Sequence, residues 1–502
     1  AVPASVAAQT SQPAAPLTFN VTYDPSVTGS FTGRVYVMTS KSAMGEPRFG
    51  PSWFNPQPFF AVDVKDWQPN TPLVLDDHAV NCGGPPSALP PGEYSVQAVM
   101  RINKDSSSIG QGAGTGYCAV VRQPLNGAES GAVKLRIDKI VEPEPIKETE
   151  RIKHVEIPSK LLSEFHKRPM SLRATVVLPK GYNDHPSAKY PAMYWIGGFG
   201  SEGDTAEAGF MTRMWDGTGF GDRILRVVLD PSCYGGHHVF ADSANNGPVG
   251  QALIQELIPH LEETYRLVPA PPSRFLSGHS SGSWSSLWLQ VTYPDFFGGT
   301  WSVAPDPVDF RDFQQIDLYA PSTNMYVDPE GHKRPLARQD NDKVMIWYED
   351  FAKMEVPYGE GGQLRSFEWV FSPRGPDGLP LSLYNRDTGE VYASVANAWK
   401  NYDIRMILED RWDTLGPKLA GKIHVFMGDK DTFYLDGATK LLKQSMERIG
   451  SDAVIEIEPN KNHMSIATPA LRKRIDQELL NVFIEHNPQY RFVETSAETQ
   501  PH

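Results

Sequence analysis

A serine flanked by small residues is the first candidate for chemistry in this chain. Residues 274–282 read Arg-Phe-Leu-Ser-Gly-His-Ser-Ser-Gly, a short apolar run followed by a Gly-x-Ser-x-Gly pentapeptide, and apolar residues at helical spacing continue beyond it. This pattern predicts a strand that turns sharply into a helix with Ser280 at the apex. Gly278 and Gly282 would let strand and helix approach closely. The backbone N–H of Ser281 would then point at an oxyanion developing on a substrate.

A serine hydroxyl is a weak nucleophile and needs a base that is itself oriented by a carboxylate. His463 lies in a polar loop between the last predicted strand and the last predicted helix, and it is the predicted general base. Asp431 lies past the end of the strand that begins at Ile423, and it is the predicted orienting acid. Three other aspartates that follow strands are alternatives for this role: Asp429, Asp306 and Asp309.

Strands and helices alternate over residues 151–490, which predicts an α/β domain. The predicted strands are short, apolar and bounded by Pro or Gly: 172–178, 192–197, 224–229, 274–277, 423–427 and 453–457. A helix over 250–265 is predicted to kink at Pro259, and the final helix to begin with Thr468 as its cap and Pro469 at its first position. This order predicts a mostly parallel central sheet, in which ligands collect at the carboxyl ends of the strands.

Residues 17–140 carry a different pattern, of short strands between Gly/Pro-rich turns. In 94–102 the apolar residues alternate and share one face: Tyr94, Val96, Ala98, Met100 and Ile102. An antiparallel β-sandwich is the predicted fold of this region. The charged, proline-punctuated stretch 141–150 is the predicted linker to the α/β domain.

An aromatic-rich insertion is predicted at about 307–420, where the alternation of strands and helices breaks. So long an insertion predicts a lid or pocket wall over the edge of the sheet. Most of its rings are expected to build a local core instead, and Trp399 is a candidate contact to substrate.

Other residues are weaker candidates for the pocket. His237 and His238 follow a strand end and could line it, with one histidine donating to substrate; Gly198 and Asp306 are further candidates. Neighbouring residues on an extended loop rarely ligate one ion, so no metal site is predicted. No cofactor is expected. Trp284 and Trp288 lie one helical turn apart and are predicted to be core.

Composition narrows the class of protein. The 502 residues are enough for two domains with a sizeable core. The net charge is −13 and basic residues form no cluster, which argues against nucleic acid as a partner. No run of eighteen apolar residues predicts a membrane span. The expected partner is a small-molecule or carbohydrate-linked substrate, and the oligomeric state is not predicted.

The ends of the chain are predicted to be flexible tails, 1–16 and 491–502. Residues 1–16 are mostly small, rich in proline and uncharged, as expected of a chain from which a signal peptide has been removed. Export to the periplasm or outside the cell is therefore expected. Cys82 and Cys118 lie in the same predicted domain and could form a disulfide; the alternative is three reduced cysteines.

The order Ser280, Asp431, His463 and the words around these residues resemble the α/β-hydrolase-fold family described as "Putative esterase". That family includes esterase D, carbohydrate esterase family 1, enterochelin esterases and mycolyltransferases. The matching words are the serine turn and residues 190–200, 256–259 and 293–297, and the resemblance covers about 172–485 apart from the insertion. It implies that the N–H of Phe199 is the second oxyanion donor. The chain has Gly197-Gly198 where many relatives have His-Gly.

The resemblance implies a serine esterase that works through an acyl-enzyme. Carbohydrate-linked, siderophore or other bulky esters are its expected substrates. An acyltransferase that uses the same triad is the nearest alternative. The alternative from another class is a non-catalytic protein that binds carbohydrate or a surface on a hydrolase scaffold.

Overall fold

The protein divides into two compact units. A computed structural model describes residues 15–490. Unit 1 comprises the chain up to Glu144 together with Lys353–Gly359; unit 2 comprises Pro145–Ala352 and the chain from Glu360 on. The break at 144 falls inside the predicted linker 141–150. The predicted tails lie outside the described residues, except that Ala15 and Pro16 already belong to the first strand.

Unit 1 is built from strands. They are β1 (Ala15–Tyr23), β2 (Phe31–Ser40), β3 (Phe59–Trp67), β4 (Leu73–Leu75), β5 (Val80–Cys82), β6 (Gly92–Met100), β7 (Gly116–Tyr117), β8 (Val121–Leu125), β9 (Ser130–Ile137) and β10 (Lys139–Ile140). Within the described residues they form a sheet of order β4-β1-β9 and a second of order β10-β7-β6-β2-β3-β5, with β8 also paired to β6. The β1–β9 pair is parallel, so the predicted all-antiparallel pairing is wrong at this pair.

The two sheets of unit 1 share one hydrophobic core. It includes Phe19 from the first sheet and Tyr94, Val96 and Ala98 from the second, as the alternation along β6 predicts. Ile102 lies beyond the end of β6 and packs against this core only in part.

The segment Lys353–Gly359 is held to unit 1 by polar contacts as well. Arg34 donates a hydrogen bond to the carbonyl of Val356 (3.0 Å), and the Tyr36 hydroxyl donates to the carbonyl of Tyr358 (2.8 Å). The Tyr358 hydroxyl donates in turn to the carbonyl of Ser107 (3.1 Å). These bonds tie a stretch from far along the chain to the strands of unit 1.

The predicted disulfide does not form, because strand order separates its cysteines. All three cysteines are free in the described part of the chain. Cys82 pairs with β3 at one end of the larger sheet, whereas Cys118 lies beside β6 and contacts Ala98. Several strand spacings of roughly 4.8 Å lie between them, far beyond the 7 Å limit for bridged Cα atoms. Burial raises the pKa of each thiol to about 11.

Unit 2 contains the central sheet. Its strands are β11 (Ile152–Pro158), β12 (Ser171–Val177), β13 (Ala192–Ile196), β14 (Leu225–Leu229), β15 (Ser232–Cys233), β16 (Gly236–His237), β17 (Arg274–His279), β18 (Gly299–Val303), β19 (Pro335–Arg338), β20 (Val344–Trp347), β21 (Ile423–Gly428) and β22 (Val454–Glu458). The sheet has the order β11-β12-β14-β13-β17-β18-β21-β22 among the described residues. Its pairs are antiparallel from β11 to β14 and parallel from there on, so unit 2 is α/β with a mixed sheet.

Helices cover the two faces of this sheet. The helices of the described chain are α1 (Lys160–His166), α2 (Thr205–Asp216), α3 (Val249–Ala252), α4 (Ile258–Thr264), α5 (Ser281–Thr292), α6 (Tyr348–Tyr358), α7 (Gln363–Phe371), α8 (Ala393–Trp399), α9 (Ile404–Leu419), α10 (Asp436–Arg448) and α11 (Pro469–His486). Helix α11 begins as predicted, since the Thr468 side chain accepts from the N–H of Leu471. In residues 15–490 no helix is both long and apolar enough to cross a membrane.

The helix predicted over 250–265 is interrupted near its proline. A π-helical turn, Leu253–Leu257, separates α3 from α4, and Pro259 lies at the start of α4. Proline lacks an N–H and crowds the preceding turn, so the widened turn relieves the clash that a continuous α-helix would have.

The insertion at 307–420 contains the β19–β20 hairpin, α6 to α9, and its own aromatic core. Phe310, Phe313, Phe371 and Trp399 lie with ring centroids 5.1–5.9 Å apart. Trp399 is 1% exposed, and its indole N–H donates to Ser372 (2.9 Å). It is therefore packed and satisfied inside unit 2, and the prediction that it contacts substrate is wrong.

Candidate active site

Ser280 sits on a strained turn between β17 and α5. Its φ of 58° and ψ of −128° are unusual for a residue with a side chain. A Cβ at Gly282 would lie 2.0 Å from the carbonyl oxygen of Ile196, and one at Gly278 would lie 2.3 Å from that of Gly282. Strand and helix approach so closely that only glycine fits on either side of the serine, which holds the Ser280 side chain at the carboxyl end of the sheet.

His463 and Asp431 meet through two crossing loops. A Cβ at Gly428, the last residue of β21, would lie 2.1 Å from the carbonyl of Lys461, so the loop after β22 passes directly over the end of β21. His463 Nδ1 donates to Asp431 Oδ2 at 2.7 Å. The other carboxylate oxygen accepts the N–H groups of Phe433 (2.8 Å) and Leu435 (3.3 Å). The bond to Nδ1 leaves Nε2 as the nitrogen that can accept a proton.

The electrostatic environment of His463 favours its protonated form. Burial disfavours the charge, but the charge and hydrogen bond of Asp431, with a further contribution from Asp306, outweigh it and raise the pKa of His463. The ring also lies 4.8 Å from that of His279 and 5.1 Å from that of Phe433, centroid to centroid. Burial lowers the pKa of His279 to about 3, so this neighbour adds no positive charge near neutral pH.

Asp306 lies next to the serine. The Ser280 hydroxyl donates to Asp306 Oδ1 over 3.4 Å, and within the described residues it makes no hydrogen bond to His463. Asp306 Oδ2 is buried and has no hydrogen-bond partner in that part of the chain. Burial raises the pKa of Asp306 to about 6, although the nearby His463 opposes the shift. Asp306 therefore contacts the hydroxyl instead of orienting the imidazole.

The other two alternative acids are engaged elsewhere. Asp309 is fully buried and forms ion pairs with Arg311 (2.5 Å) and Arg405 (3.2 Å). Asp429 accepts the N–H of Asn460 at 2.6 Å. The histidine bond goes to Asp431, so the structure does not assign the orienting role to Asp309 or Asp429.

The residues predicted to bind an oxyanion flank Ser280. Ser281 is the first residue of α5, where backbone N–H groups have no partner within the helix. A Cβ at Gly198 would lie 3.2 Å from Ser280 Cβ and 3.8 Å from its hydroxyl, which places the loop of Gly198 and Phe199 against the serine. The absence of a side chain at Gly198 keeps this space open for a substrate.

His237 supports that loop from behind. Its Nδ1 accepts the N–H of Val239 (3.0 Å), so Nε2 carries the proton and donates it to the carbonyl of Gly197 (3.2 Å). Burial lowers the pKa of His237 to about 4 and keeps the ring neutral. Both nitrogens are occupied, so His237 positions the loop that begins at Gly197 and has no proton to donate to a substrate, contrary to the prediction.

His238 is also a neutral ring with its proton on Nε2, and a donor role for it stays a prediction. Its Nδ1 accepts the N–H of Phe240 (3.1 Å), and burial lowers the pKa of this ring to about 3. Neither histidine belongs to a group of potential metal ligands in the described residues. The one such group there is Asp328, Glu330 and His332, on a mostly exposed turn where Asp328 already accepts two hydrogen bonds from His332.

Two supporting residues were missed at the sequence level. Glu207 accepts hydrogen bonds from the Ser201 hydroxyl (2.6 Å) and the Gly203 N–H (3.2 Å), which fixes the rest of the oxyanion loop. The spacing Asp204-x-x-Glu207 is a capping pattern at the start of α2, and this could have pointed to it. The second residue is His279, whose ring contacts that of His463. In the sequence it is the variable residue before Ser280 in the pentapeptide.

Comparisons with known proteins identify the family of the chain. Residues 166–444 match the family model described as "Putative esterase", and the match covers more than half of the chain. No curated protein matches the sequence.

Among solved structures, a ferulic acid esterase is similar at 14% identity (TM-score 0.41; 66% of this chain, 99% of that one). A fluorophosphonate-binding serine hydrolase of Staphylococcus aureus is similar at 13% identity, with a TM-score of 0.38 over 66% of this chain and 99% of that one. An S-formylglutathione hydrolase from Agrobacterium tumefaciens is also similar at 13% identity, with a TM-score of 0.38 over 68% of this chain and 98% of that one. By its family match, the chain belongs to the "Putative esterase" family and is a carboxylic ester hydrolase.

Proposed function

We propose that the protein cleaves esters through an acyl-enzyme, with Ser280 as nucleophile, His463 as general base and Asp431 as the orienting acid. The observation that carries this proposal is the 2.7 Å bond between His463 and Asp431 at the same end of the sheet as the strained serine. The bond fixes the tautomer in which Nε2 accepts a proton, as a serine nucleophile requires.

The reaction would proceed in two halves. As the Ser280 oxygen attacks the ester carbonyl, its proton passes to His463 Nε2, and the N–H groups of Ser281 and Phe199 stabilise the oxyanion. The imidazolium then protonates the leaving alcohol, and water attacks the acyl-enzyme with His463 again as base. The hydroxyl must first leave Asp306, since it donates there in the unliganded protein.

We further propose that unit 1 is an accessory β-sandwich and that bulky esters, including carbohydrate-linked ones, are the substrates. The shared core of the two sheets supports the first proposal. A screen of feruloyl, acetyl, siderophore and polyester substrates tests the second. Export is proposed only on the composition of residues 1–16, because the free cysteines give it no support; cell fractionation tests it.

Labelling with diisopropyl fluorophosphate tests the nucleophile. We expect one adduct per chain, located on Ser280 by peptide mass spectrometry, and no adduct on Ser280→Ala. The matched control is Ser187→Ala, an exposed serine of unit 2, which should label as the natural chain does. A folded protein that stays unlabelled, or a label on another serine, would contradict the proposal.

A further inference from the structure

A large apolar cavity lies on one face of the central sheet, between α2 and α11. Its volume is about 510 Å³, within the range of small-molecule sites. The floor is formed by side chains of neighbouring strands, among them Trp195, His279 and Val303, and the walls by residues of the two helices. The cavity is open to solvent, so a small molecule can enter it.

Neighbours of the proposed reacting groups line the cavity, whereas Ser280 and His463 themselves do not. Gly198, which borders Ser280, lines it, and so does His279, the residue directly before the serine. Met464, the residue directly after His463, lines it from the other loop. Immediate neighbours of the nucleophile and the base, together with a residue of the oxyanion loop, therefore line the same cavity.

The surface of the cavity suits an apolar, flexible chain. Four methionines line it: Met193, Met211, Met214 and Met464. Methionine adapts its shape to irregular apolar groups. Phe210 (55% exposed) and Met464 (70% exposed) also line it, so apolar side chains on its border face solvent.

The charged groups on the walls are already engaged by the protein. Asp476 pairs with the buried Arg226 at 2.7 Å, Glu207 accepts the Ser201 hydroxyl, and Arg472 donates to the carbonyl of Ala467. Three buried nitrogens of the lining have no hydrogen-bond partner in the described residues: Trp195 Nε1, His279 Nε2 and Arg472 Nε. Most other lining side chains are apolar, so the cavity offers mainly apolar contacts and a few polar ones.

We propose that this cavity binds the acyl chain of the substrate, and that the enzyme prefers esters of medium-length aliphatic acids. The inference rests on the proposed function of Ser280. Two of the three residues that connect the cavity to the site, Gly198 and His279, flank the serine, to which the acyl group stays bonded after the alcohol leaves.

The test is kcat/KM for p-nitrophenyl acetate, butyrate, octanoate and dodecanoate. For the natural chain we expect a rise from acetate to octanoate of roughly two- to fourfold per methylene, because each buried methylene gains transfer free energy. Met214→Trp fills the cavity and should lower the octanoate value to near that of acetate measured on the same variant. Met214→Ala should move the optimum towards dodecanoate.

The control is Met44→Trp, the same substitution at a methionine of unit 1 that is 86% exposed and does not line the cavity. It should leave the chain-length profile unchanged. A flat profile in the natural chain, or profiles that neither Met214 variant alters, would overturn the acyl site while acetate hydrolysis keeps the esterase intact. Loss of all hydrolysis in the natural chain would instead reject the proposed function.

Discussion

Two loops of unit 2 place the same side chain beside the same site with opposite results. Asp306 and Asp431 each lie three residues past the end of a strand, β18 and β21 respectively, and these strands are parallel neighbours in the sheet. Asp431 accepts hydrogen bonds from His463 and two backbone N–H groups. Asp306 accepts one long bond from Ser280 and leaves an oxygen without a partner in the described residues.

The local sequence explains the difference. Asp306 stands between Pro305 and Pro307, which have no N–H to offer, whereas the loop after Asp431 turns back and directs two N–H groups at the carboxylate. A carboxylate that receives several donors is stabilised as an anion, and one that is buried without them holds its proton more tightly. Two aspartates at equivalent positions can therefore serve different purposes, one orienting the base and one near the serine.

The largest effect should come from Asp431→Asn. The amide can present its N–H₂ to Nδ1, which favours the tautomer with a proton on Nε2 and blocks the base, so we expect kcat to fall by about 10⁴-fold at neutral pH. Steady-state hydrolysis of p-nitrophenyl acetate measures it. A loss below about tenfold would mean that Asp431 does not orient His463.

A smaller loss is expected for Asp306→Asn. Asn keeps an oxygen that can accept from Ser280 but carries no charge, so one source of stabilisation for the imidazolium is lost. This should lower kcat/KM roughly tenfold, which is about 1.4 kcal/mol of barrier. Because Asp306 helps to raise the pKa of His463, the acid limb of the pH profile should also move to lower pH.

The pH profile separates these roles from a loss of structure. His279 and Asp431 are the other titratable groups that interact with His463, and both are unchanged in Asp306→Asn. A variant whose limb stays in place, or moves to higher pH, would show that Asp306 does not act on the imidazole.

A further effect is on stability, and its sign differs between the loops. The pKa of Asp306 is raised to about 6, so the folded state binds this proton more tightly than the unfolded chain, and stability is lost as pH rises from about 4 to 6. At pH 7 the free energy of unfolding of Asp306→Asn should therefore exceed that of the natural chain by on the order of 2 to 3 kcal/mol, seen as a higher urea midpoint. At pH 4 the two proteins should have the same stability.

Asp431→Asn is the matched comparison, because it weakens satisfied hydrogen bonds and should be less stable at pH 7. Tryptophan fluorescence reports mainly on unit 2, which holds nine of the eleven tryptophans. If both variants shift the urea midpoint in the same direction at pH 7, the contrast between the two loops is wrong.

The parts of the site that sequence reasoning placed are those fixed by local pattern. The Gly-x-Ser-x-Gly turn, the strand ends before Asp431 and His463, and the cap of α11 all depend on neighbouring residues, and the helices and strands lie where these patterns predict. The proton affinity of Asp306 depends on the groups that surround it in space. The sequence shows only that the flanking prolines have no N–H to donate to it. The role of His237 depends on a bond to Gly197, forty positions earlier.

The errors share one cause, which is that partners distant in the chain are not readable from composition. Cys82 and Cys118 lie in the same domain but far apart in space, because the order of the strands separates them. Trp399 shares an aromatic-rich segment with exposed rings such as Tyr392, yet it is buried against phenylalanines that a list of rings cannot select.

Helix α6 has a practical consequence for anyone who dissects this protein. Its last residues belong to the strand-built unit and are bonded there by Arg34 and Tyr36, although they are encoded more than two hundred positions after the linker. If the gene is cut at 141–150, the hydrolase fragment keeps residues 353–359 without the strands they bind to. The other fragment then lacks these residues, which belong to its own unit. The two units can be exchanged between relatives only if the short stretch 353–359 travels with the first.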